Sequence, residues 1–539
     1  MLTPSVPAPE DYYQNNCCRL FEFVLHAYED ILSARESEAL THYLQASSDA
    51  QRLFARLLTR KGPVFRIDLL AYREVADLNA ALDELTKRKL LTRQPAHAGE
   101  GYLNLLRKDE LAACLTQRSG IEGLNRWRKS ELVTWALSRY SDPVLRQLVV
   151  DFSPIVAIQD PFVWQLARLL FFGEAQSDWT TFILSDLGLV QYETVERGSR
   201  QFSNRDELEL DLALRALSAM TYQLDDHPGL ATPLSVRLLN IAGDRFTMRR
   251  RDKALLRLAH HLEKTQPQRA CLIYENVSRH PAREKNIRLL HRQGMENEAK
   301  ALLQSAQASP YSEEEQQFCE RFGQRNKGFQ PQTLQVVFNQ LDTEQKIEEQ
   351  ALAFLTSDHG ISFGIHVENG FVRTLTGIVY WPIIFAPVQG AYTHPYQSRP
   401  NDLNMEDFIS VRADLVADFE ATINSDEALR QHIRQIVETK YLVANRLVSW
   451  SLLEHVPLER IFDHIPISHI RRLTSFLIRH LYQYRTGLPD LLVFYPDGRY
   501  EFIEVKGPND QLQPVQRLWF KQFDTLEIPA RVMKIKLSR

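Results

Sequence analysis

Hydrophobic residues recur at helical spacing through the first two thirds of the chain, whereas the C-terminal end alternates as strands do. The segment 19–32, for example, places apolar residues three and four apart among charged ones. Near the C-terminus, two short runs over 491–495 and 499–506, separated by a Pro-Asp-Gly turn, predict a β-hairpin, and 530–537 predicts a closing strand. The pattern therefore predicts a multidomain protein with a mostly α-helical N-terminal body and a C-terminal α/β domain.

The region 47–92 has the element order of a winged-helix-like unit. A helix is followed by the helix-breaking pair Gly62-Pro63, a short apolar segment over 64–67 and a second helix that ends near Thr92. A winged-helix-like unit would bind DNA. A helical scaffold that does not touch DNA fits the same pattern.

Two short helices joined by a glycine-containing turn follow over 105–137. The turn contains Gly120, and the second helix opens with the basic residues Arg126, Arg128 and Lys129. This arrangement resembles the SAP module, a small helical pair that binds double-stranded DNA. The helix N-terminal amides and the three basic side chains are placed to hold backbone phosphates. The alternative is a solvated charge run on a helical hairpin.

Positive charge is concentrated between Arg245 and Arg292, where 13 Lys and Arg stand against 4 Asp and Glu in a chain whose net charge is -4. A solvated helical face is one explanation, but so large an imbalance favours a polyanionic partner. It makes Arg249, Arg250 and Arg251 candidate DNA-binding residues.

The same region contains a faint internal repeat. The segments 270–281 and 299–310 each begin with Ala and end with Pro, at a spacing of 29 residues. Tetratricopeptide units repeat every ~34 residues, so helical hairpins of a related kind are expected here. Together these patterns predict five regions: an N-terminal helical segment (1–46), a winged-helix-like and SAP-like DNA-binding region (47–140), a helical connecting region (141–250), tetratricopeptide-like helical repeats (251–330) and the C-terminal α/β domain (331–539).

The predicted hairpin carries the residues with recognisable chemistry. Asp490 opens its first strand, and Glu504 and Lys506 lie two apart on its second, so both project from one face while Val505 points into the core. This pattern is the PD-(D/E)xK nuclease signature. Its carboxylates would hold Mg²⁺ or Mn²⁺, which stabilises charge on phosphoryl oxygens and lowers the pKa of a bound water. The alternative is a surface ion pair between Glu504 and Lys506.

The surroundings of this motif favour the nuclease interpretation. Gly487 allows a close approach of the chain before Asp490, and Gly507-Pro508 ends the second strand. Gln516 falls on the next predicted helix, where nucleases of this superfamily often carry a glutamine that faces the site. The Val505 carbonyl is commonly a further metal ligand in such sites.

The segments 485–494 and 502–510, with Gln516 and Trp519 after them, resemble the virus-type replication-repair nuclease (VRR-NUC) domain, and more specifically the Fanconi-associated nuclease family. These nuclease motifs are the most specific part of the resemblance. It covers nearly the whole chain through further motifs at 364–368, 374–377, 380–385 and 447–450 and, in the N-terminal part, at Tyr12-Tyr13, 52–54, Arg60-Lys61 and 83–85.

The resemblance implies a structure-selective DNA endonuclease that cuts 5′ flaps near the junction, has 5′-to-3′ exonuclease action and serves interstrand-crosslink repair. Its nuclease domain would be restriction-endonuclease-like, and its partner would be branched or crosslinked double-stranded DNA. The implied catalytic residues are Asp490, Glu504 and Lys506, with Glu368 as an additional metal-binding carboxylate from a preceding helix. Asp510 and Gln516 would support this core.

Composition argues against several kinds of site and location. The five cysteines never form a C-x-x-C pair, so neither a disulfide framework nor the ubiquitin-binding zinc finger of larger animal members is expected. No apolar run approaches the ~18 residues of a membrane span, and no secretion signal is visible. The expected location is the cytoplasm and nucleoid for a bacterial member, or the nucleus for a eukaryotic one.

Two alternative functions remain open. One is a non-catalytic scaffold that binds DNA junctions, although the presence of all four site residues argues against it. The other is a junction resolvase or a restriction-type endonuclease of the same fold. Resolvases with this domain are dimers of small chains, so the length of 539 residues disfavours that alternative.

Overall fold

The structure is a computed structural model that describes residues 12–60, 62–95, 99–173, 190–195, 200–323, 329–342 and 344–538. Lys61, part of an N-terminal family motif, and the first residues, on which the expectation of no secretion signal depends, lie outside them. The chain forms two compact units: the first comprises Met1–Gln201, Phe385–Asn401 and Leu442–Asn445, and the second comprises Phe202–Ile384, Asp402–Tyr441 and Arg446–Arg539.

The first unit is mainly helical and packs around aromatic side chains. The ring of Trp164 lies 4.8 Å from that of Phe54 and 5.3 Å from that of Phe21. Its helices are α1 (Tyr12–Ala27), α2 (Ala34–Leu44), α3 (Ser48–Thr59), α4 (Leu78–Lys87), α5 (Glu100–Asn104), α6 (Lys108–Ser119), α7 (Lys129–Arg139), α8 (Asp142–Val150) and α9 (Pro161–Phe172), and its strands are β1 (Val64–Arg66), β2 (Leu91–Thr92), β3 (Ile155–Ile158), β4 (Gln191–Tyr192) and β7 (Val443–Ala444).

The winged-helix-like order predicted over 47–92 is present, but its sheet needs a strand from outside that range. Ser47 and Asp77 cap the N-termini of α3 and α4. The strand order is β1-β3-β2, so β3 pairs antiparallel with both β1 and β2. Strands β3 and β4 lie within 141–250, so the helical connecting region predicted there also contributes two short strands.

The helical pair predicted over 105–137 is also present. Helix α6 ends at Gly120, whose φ of +72° is the left-handed conformation that closes many helices. Helix α7 begins after Arg128, whose backbone N–H donates a 2.7 Å hydrogen bond to the side chain of Glu131. The two helices are thus separated by the predicted turn, and they lie in the chain between β2 and β3.

The second unit begins with helices that pack on their neighbours in chain order, as helical hairpins do. These are α10 (Arg205–Met220), α11 (Ala231–Leu239), α12 (Arg245–Leu262), α13 (Pro267–Glu275), α14 (Ala282–Arg292), α15 (Glu296–Ala308) and α16 (Glu313–Arg321). Each proline of the repeat was expected to close a helix. Pro310 does follow the end of α15, but Pro281 lies six residues beyond the end of α13 and directly precedes α14, so the expectation was wrong for Pro281.

The C-terminal part is the predicted α/β domain. Its strands are β5 (Thr333–Phe338), β6 (Phe363–His366), β8 (Leu491–Phe494), β9 (Tyr500–Lys506) and β10 (Ala530–Leu537), in the sheet order β5-β10-β9-β8-β6. Its helices are α17 (Ile347–Asp358), α18 (Phe371–Val379), α19 (Trp381–Ile384), α20 (Ala413–Thr422), α21 (Asp426–Lys440), α22 (Trp450–His455), α23 (Leu458–His464), α24 (Ile467–Arg479), α25 (Leu481–Tyr484) and α26 (Pro514–Thr525).

The hairpin and the closing strand are confirmed. Strands β8 and β9 pair antiparallel, and β10 runs parallel to β9. One face of the sheet, with Ile503 and Val505, packs on Ala351 and Leu355 of α17. Glu504 and Lys506 therefore project from the other face of β9, as the period of two predicts. In the described part of the chain, no helix is long and apolar enough to cross a membrane.

Candidate active site

The register of the hairpin brings Asp490 and Glu504 together. Leu491 pairs with Ile503, so the next pair along the ladder is Asp490 and Glu504, at the open end of the hairpin. Gly487 supports this approach, since its φ is +86° and a Cβ atom there would lie 2.8 Å from a methyl group of Val515 in α26. The predicted need for glycine before Asp490 is thus explained by its contact with the following helix.

Asp490 is fixed through both its side chain and its backbone. Its Oδ2 accepts a 2.9 Å hydrogen bond from the backbone N–H of Val505. Its carbonyl accepts hydrogen bonds from the N–H groups of Val367, at 2.7 Å, and Glu368, at 3.3 Å. Burial raises the pKa of the Asp490 carboxyl, and the charge of Glu348 adds to that rise, while the Val505 N–H and Lys506 oppose it.

Glu504 is almost completely buried, with 1% of its surface exposed. Its Oε1 lies 2.9 Å from Nζ of Lys506 and accepts a hydrogen bond from the side-chain amide of Gln516. Burial, followed by the negative charge of Asp490, raises the pKa of Glu504 to about 7, although Lys506 and Gln516 favour the charged form.

The donor set at this end of the hairpin fits a divalent metal ion. Oε2 of Glu504 is buried and has no hydrogen-bond partner, which is costly unless a cation or water completes it. Within the residues that the structure describes, no three His, Cys, Asp or Glu side chains come close enough to hold a metal by themselves. Mg²⁺ is usually held by one or two carboxylates together with waters and substrate phosphates, and the Asp490 and Glu504 pair suits that mode of binding.

The two supporting residues differ in what they contact. Gln516 lies on α26 and reaches Glu504, which is the position expected for the glutamine of this superfamily. Asp510 instead holds the turn after β9: its Oδ2 accepts a 3.1 Å hydrogen bond from the N–H of Gly507, and its own N–H donates to the Gly507 carbonyl. Asp510 therefore shapes the end of the strand that carries Glu504 and Lys506.

Glu368 was predicted on a helix, and this was wrong. It lies in the turn between β6 and α18, where its side chain is exposed. Its N–H contacts the Asp490 carbonyl, so the turn is tied to the site through the backbone. The residue lines a pocket of about 470 Å³ together with His366, Ser449 and His455.

Glu348 is an acidic residue near the site that was not predicted from the sequence. It lies in the first turn of α17, and its charge contributes to the raised pKa of Asp490. Acidic residues are common in first helical turns because they interact favourably with the helix dipole, so the sequence alone offered no reason to single it out.

The candidate DNA-binding residues divide into two groups. Arg126 and Arg128 are exposed near the start of α7, and Lys129 is half-buried, with its Nζ 3.2 Å from the Asn104 carbonyl. The arginines of α12 make internal contacts instead: Arg249 with the Asn404 carbonyl, Arg250 with Asp211, and Arg251 with Asp252. These contacts occupy the three side chains within the second unit, so they give no support to the prediction that this trio binds DNA.

Two known protein-family models match different parts of the chain. A model described as the VRR-NUC domain matches residues 424–536, and one described as the FAN1 HTH domain matches residues 11–92. The first range contains Asp490, Glu504 and Lys506, whereas Glu348 and Glu368 lie before it. The second range contains β1 and β2 but not β3.

The chain is 30% identical to the Fanconi-associated nuclease 1 homolog of Pseudomonas aeruginosa over 99% of its own length and 97% of the relative's. It is 26% identical to the Arabidopsis thaliana homolog, over 95% of this chain and 65% of that one. Identity to human Fanconi-associated nuclease 1 is 24%, over 99% of this chain and 63% of the human one. The chain thus spans somewhat less than two thirds of the plant and human relatives.

Solved structures of a Fanconi-associated nuclease have a fold similar to that of this chain. The chain superposes on paFAN1 bound to DNA with a 2-nt 5′ flap and a gap with a TM-score of 0.87, at 29% identity, covering 99% of this chain and 100% of that one. For paFAN1 bound to the corresponding DNA with a 1-nt flap, the TM-score is 0.85 at the same identity, covering 98% and 100%. The similarity therefore extends over both units of the structure.

Proposed function

Because the chain belongs to the Fanconi-associated nuclease family, we propose that it cuts branched DNA at 5′ flaps near the junction, degrades DNA in the 5′-to-3′ direction and serves interstrand-crosslink repair. The protein is a DNA nuclease. The observation that carries the proposal is the pairing of Asp490 with the buried Glu504 beside Lys506, in a chain similar over its whole length to a protein solved with 5′-flap DNA.

VRR-NUC nucleases use divalent metal ions, and we assign the metal ligands of this chain to the carboxylates of Asp490 and Glu504 and the carbonyl of Val505. Glu368, whose backbone N–H is bonded to the Asp490 carbonyl, stays the predicted additional ligand. These are hard oxygen donors, which favours Mg²⁺ or Mn²⁺. When bound, such an ion stabilises charge on the phosphoryl oxygens and lowers the pKa of water.

The remaining side chains prepare and use this site. Lys506 is placed by Glu504 to orient the attacking water or to take up its proton. The Val505 N–H fixes the orientation of the Asp490 carboxylate, and Gln516 does the same for Glu504. Asp510 keeps the strand end in place through Gly507. The catalytic residues in this proposal are therefore Asp490, Glu504, Lys506 and Glu368.

The substrate is double-stranded DNA that carries a branch or a crosslink. The exposed Arg126 and Arg128, with Lys129, form the candidate contact to backbone phosphates in the first unit. Binding of DNA by Arg249, Arg250 and Arg251 stays a prediction. A chromosomal substrate places the protein in the cytoplasm with the nucleoid if the source is a bacterium, and ubiquitin is not among its expected partners.

Cleavage of a labelled 5′-flap substrate by the wild type and by Asp490→Ala tests this function. We expect incision near the junction that requires Mg²⁺ or Mn²⁺, is abolished by chelator and is lost in the variant, while flap binding by the variant is retained. Four-way junctions and linear duplex serve as comparison substrates. Tight flap binding without incision by the wild type would favour the scaffold alternative, and preferential cutting of four-way junctions would favour a resolvase.

A further inference from the structure

Three arginines from separate parts of the second unit meet next to the candidate active site. Arg373 lies in the first turns of α18, Arg446 lies in the loop before α22, and Arg485 directly follows α25. The side chain of Arg373 donates a 3.2 Å hydrogen bond to the Arg446 carbonyl. The charges of Arg446 and Arg485 both act on the Arg373 guanidinium, which places them within electrostatic range of it. We call them the arginine cluster.

Hydrogen bonds tie the segments that carry the cluster to the catalytic strand. The N–H of Leu488 donates a 3.1 Å hydrogen bond to Oδ1 of Asn369, which joins the segment between Arg485 and Asp490 to the turn that contains Glu368. The N–H of Ser449 donates a 3.0 Å hydrogen bond to Oγ1 of Thr374, which joins the loop of Arg446 to α18. Arg373 and Arg485 thus lie close in the chain to Glu368 and Asp490, with Arg485 five residues before Asp490, and the loop of Arg446 is bonded to α18.

The arginine cluster lacks direct acidic partners among the described residues. In the part of the chain that the structure describes, none of the three arginines forms an ion pair with Asp or Glu. Nε of Arg373 is buried and has no hydrogen-bond partner. Burial lowers the pKa of Arg373, and its two cationic neighbours lower it further. Like charges repel, so holding three guanidinium groups together costs free energy that a bound anion would recover.

We propose that the arginine cluster binds a phosphodiester of the DNA strand that is cut, close to the scissile phosphate. Guanidinium groups suit phosphate oxygens because their donors form a planar fork that can bind two oxygens at once. Arg446 and Arg485 are exposed, so they can meet a strand that passes the site, while the half-buried Arg373 holds the base of the cluster. Bound in this way, the strand is fixed relative to Asp490 and Glu504. The three arginines are positioning residues, and this role rests on the proposed nuclease function.

Substitution of the arginines combined with neutralised phosphates tests the proposal. Arg446→Gln and Arg485→Gln change exposed side chains, so both variants should fold, and Arg373→Gln tests the half-buried member. Arg499→Gln is the matched control, because Arg499 is exposed and lies beyond the turn at the opposite end of the hairpin from Asp490. The substrates are 5′ flaps in which one phosphodiester at a time, on either side of the cut, is replaced by an uncharged methylphosphonate.

We expect Arg485→Gln to lower the cleavage rate at subsaturating enzyme about tenfold on the unmodified flap, as expected for loss of one charge-assisted phosphate contact. When the methylphosphonate replaces the phosphodiester that the cluster binds, the cleavage rate of the wild type should fall by a similar factor. The same replacement should lower the rate of Arg485→Gln little further, because the contact is already missing. Arg499→Gln should behave as the wild type at every position. Losses that multiply at every position would overturn the proposal.

Two further results distinguish this proposal from binding of the terminal 5′-phosphate and from failure of the proposed nuclease function. The lower cleavage rate of Arg485→Gln could disappear when the flap carries a 5′-hydroxyl in place of a 5′-phosphate. That result would show that the ligand is the terminal phosphate, and it would overturn the assignment to an internal phosphodiester. No cleavage of any flap by the wild type would instead contradict the proposed nuclease function, whereas normal cleavage with unaffected arginine variants would contradict the cluster alone.

Discussion

Nζ of Lys506 lies 2.9 Å from Oε1 of Glu504, and both side chains are withdrawn from solvent, with exposed fractions of 13% and 1%. A surface ion pair, which was the alternative for these two residues, would be solvated on both sides and contribute little. Here the pair is enclosed by the sheet and α26, and burial together with the negative charge of Asp490 raises the pKa of the same glutamate. The lysine thus lies beside the buried carboxylate of Glu504, and its charge also acts on the half-buried Asp490, where the reaction would take place.

Replacing Lys506 by Ala should abolish most of the cleavage without preventing DNA binding. General acid–base groups contribute factors of about 10²–10⁴ to enzymatic rates, so we expect a loss in that range at saturating enzyme. Affinity for an uncut flap should change no more than a few times, since one buried lysine contributes little to the total phosphate contact. Single-turnover cleavage and gel-shift binding measure the two quantities. Lys536→Met, at the exposed end of β10, is the control, and wild-type turnover by Lys506→Ala would contradict the assigned role.

The raised pKa of Glu504 predicts how the stability of the metal-free protein depends on pH. A buried carboxyl whose pKa rises from 4.5 to about 7 on folding stabilises the fold fully below pH 4.5 and loses that contribution as pH rises towards and through 7. Glu504→Gln removes this dependence because glutamine does not titrate. The variant should gain up to about 3 kcal/mol relative to the wild type between pH 5 and pH 8.

Thermal unfolding in the presence of chelator at both pH values measures this difference. Added Mn²⁺ should stabilise the wild type more at pH 8 than at pH 5, because metal binding requires the deprotonated carboxylate. The same addition should have a smaller effect on Glu504→Gln. Parallel pH profiles of the two proteins without metal would contradict the pKa shift, and equal stabilisation of both by Mn²⁺ would contradict the role of Glu504 as a ligand.

Much of the nuclease site could be predicted because its chemistry is local in the sequence. The hairpin places Asp490, Glu504 and Lys506 within 17 residues, and the strand period of two determines which of them share a face. The position of Gln516 on the next helix followed from the same motif. Its contact with Glu504 is then a consequence of how α26 packs on the sheet.

The features that could not be predicted depend on residues far apart in the chain. Strand β3 completes a sheet begun almost 90 residues earlier, and its four apolar residues carry no signal of that pairing. The effect of the Glu348 charge on the pKa of Asp490 arises only from the tertiary fold. The same holds for the proximity of the three arginines of the arginine cluster. In the other direction, the charge run from Arg245 looked like a DNA contact because the sequence does not show that Asp211 and Asp402 lie against it.

Asp402 should be important for stability rather than for catalysis. Its carboxylate accepts hydrogen bonds of 2.8 and 3.0 Å from Arg412, and both side chains of this pair are fully buried. Arg245 adds a third, at 2.6 Å. Asp402→Asn leaves the fully buried Arg412 without its counter-ion, although Arg245 still pairs with Asp407. This should cost about 3–5 kcal/mol of the free energy of unfolding.

Urea unfolding followed by circular dichroism measures this loss as a lower midpoint. The control is Glu459→Gln, which removes the partner of Arg434 in a pair that is exposed to solvent and should leave the midpoint almost unchanged. Equal effects of the two substitutions would show that the buried network contributes no more than a surface pair.

The exposed arginines of the first unit should determine how DNA binding responds to salt. Arg126 and Arg128 have no carboxylate partner in the described residues, in contrast to Arg250, so their charge is available to backbone phosphates. Each phosphate contact adds about 0.9 to the slope of log K against log salt, and the double substitution Arg126→Gln with Arg128→Gln should therefore reduce the slope by about 2. The cleavage rate at saturating enzyme should stay at the wild-type value, because the catalytic residues are untouched. Binding titrations of a flap at several salt concentrations measure the slope, with Arg139→Gln, an exposed residue in the last turn of α7, as the control. An unchanged slope in the double variant would mean that this face does not bind DNA. An equal reduction in Arg139→Gln would mean that the effect is one of general charge rather than of the SAP-like helix start.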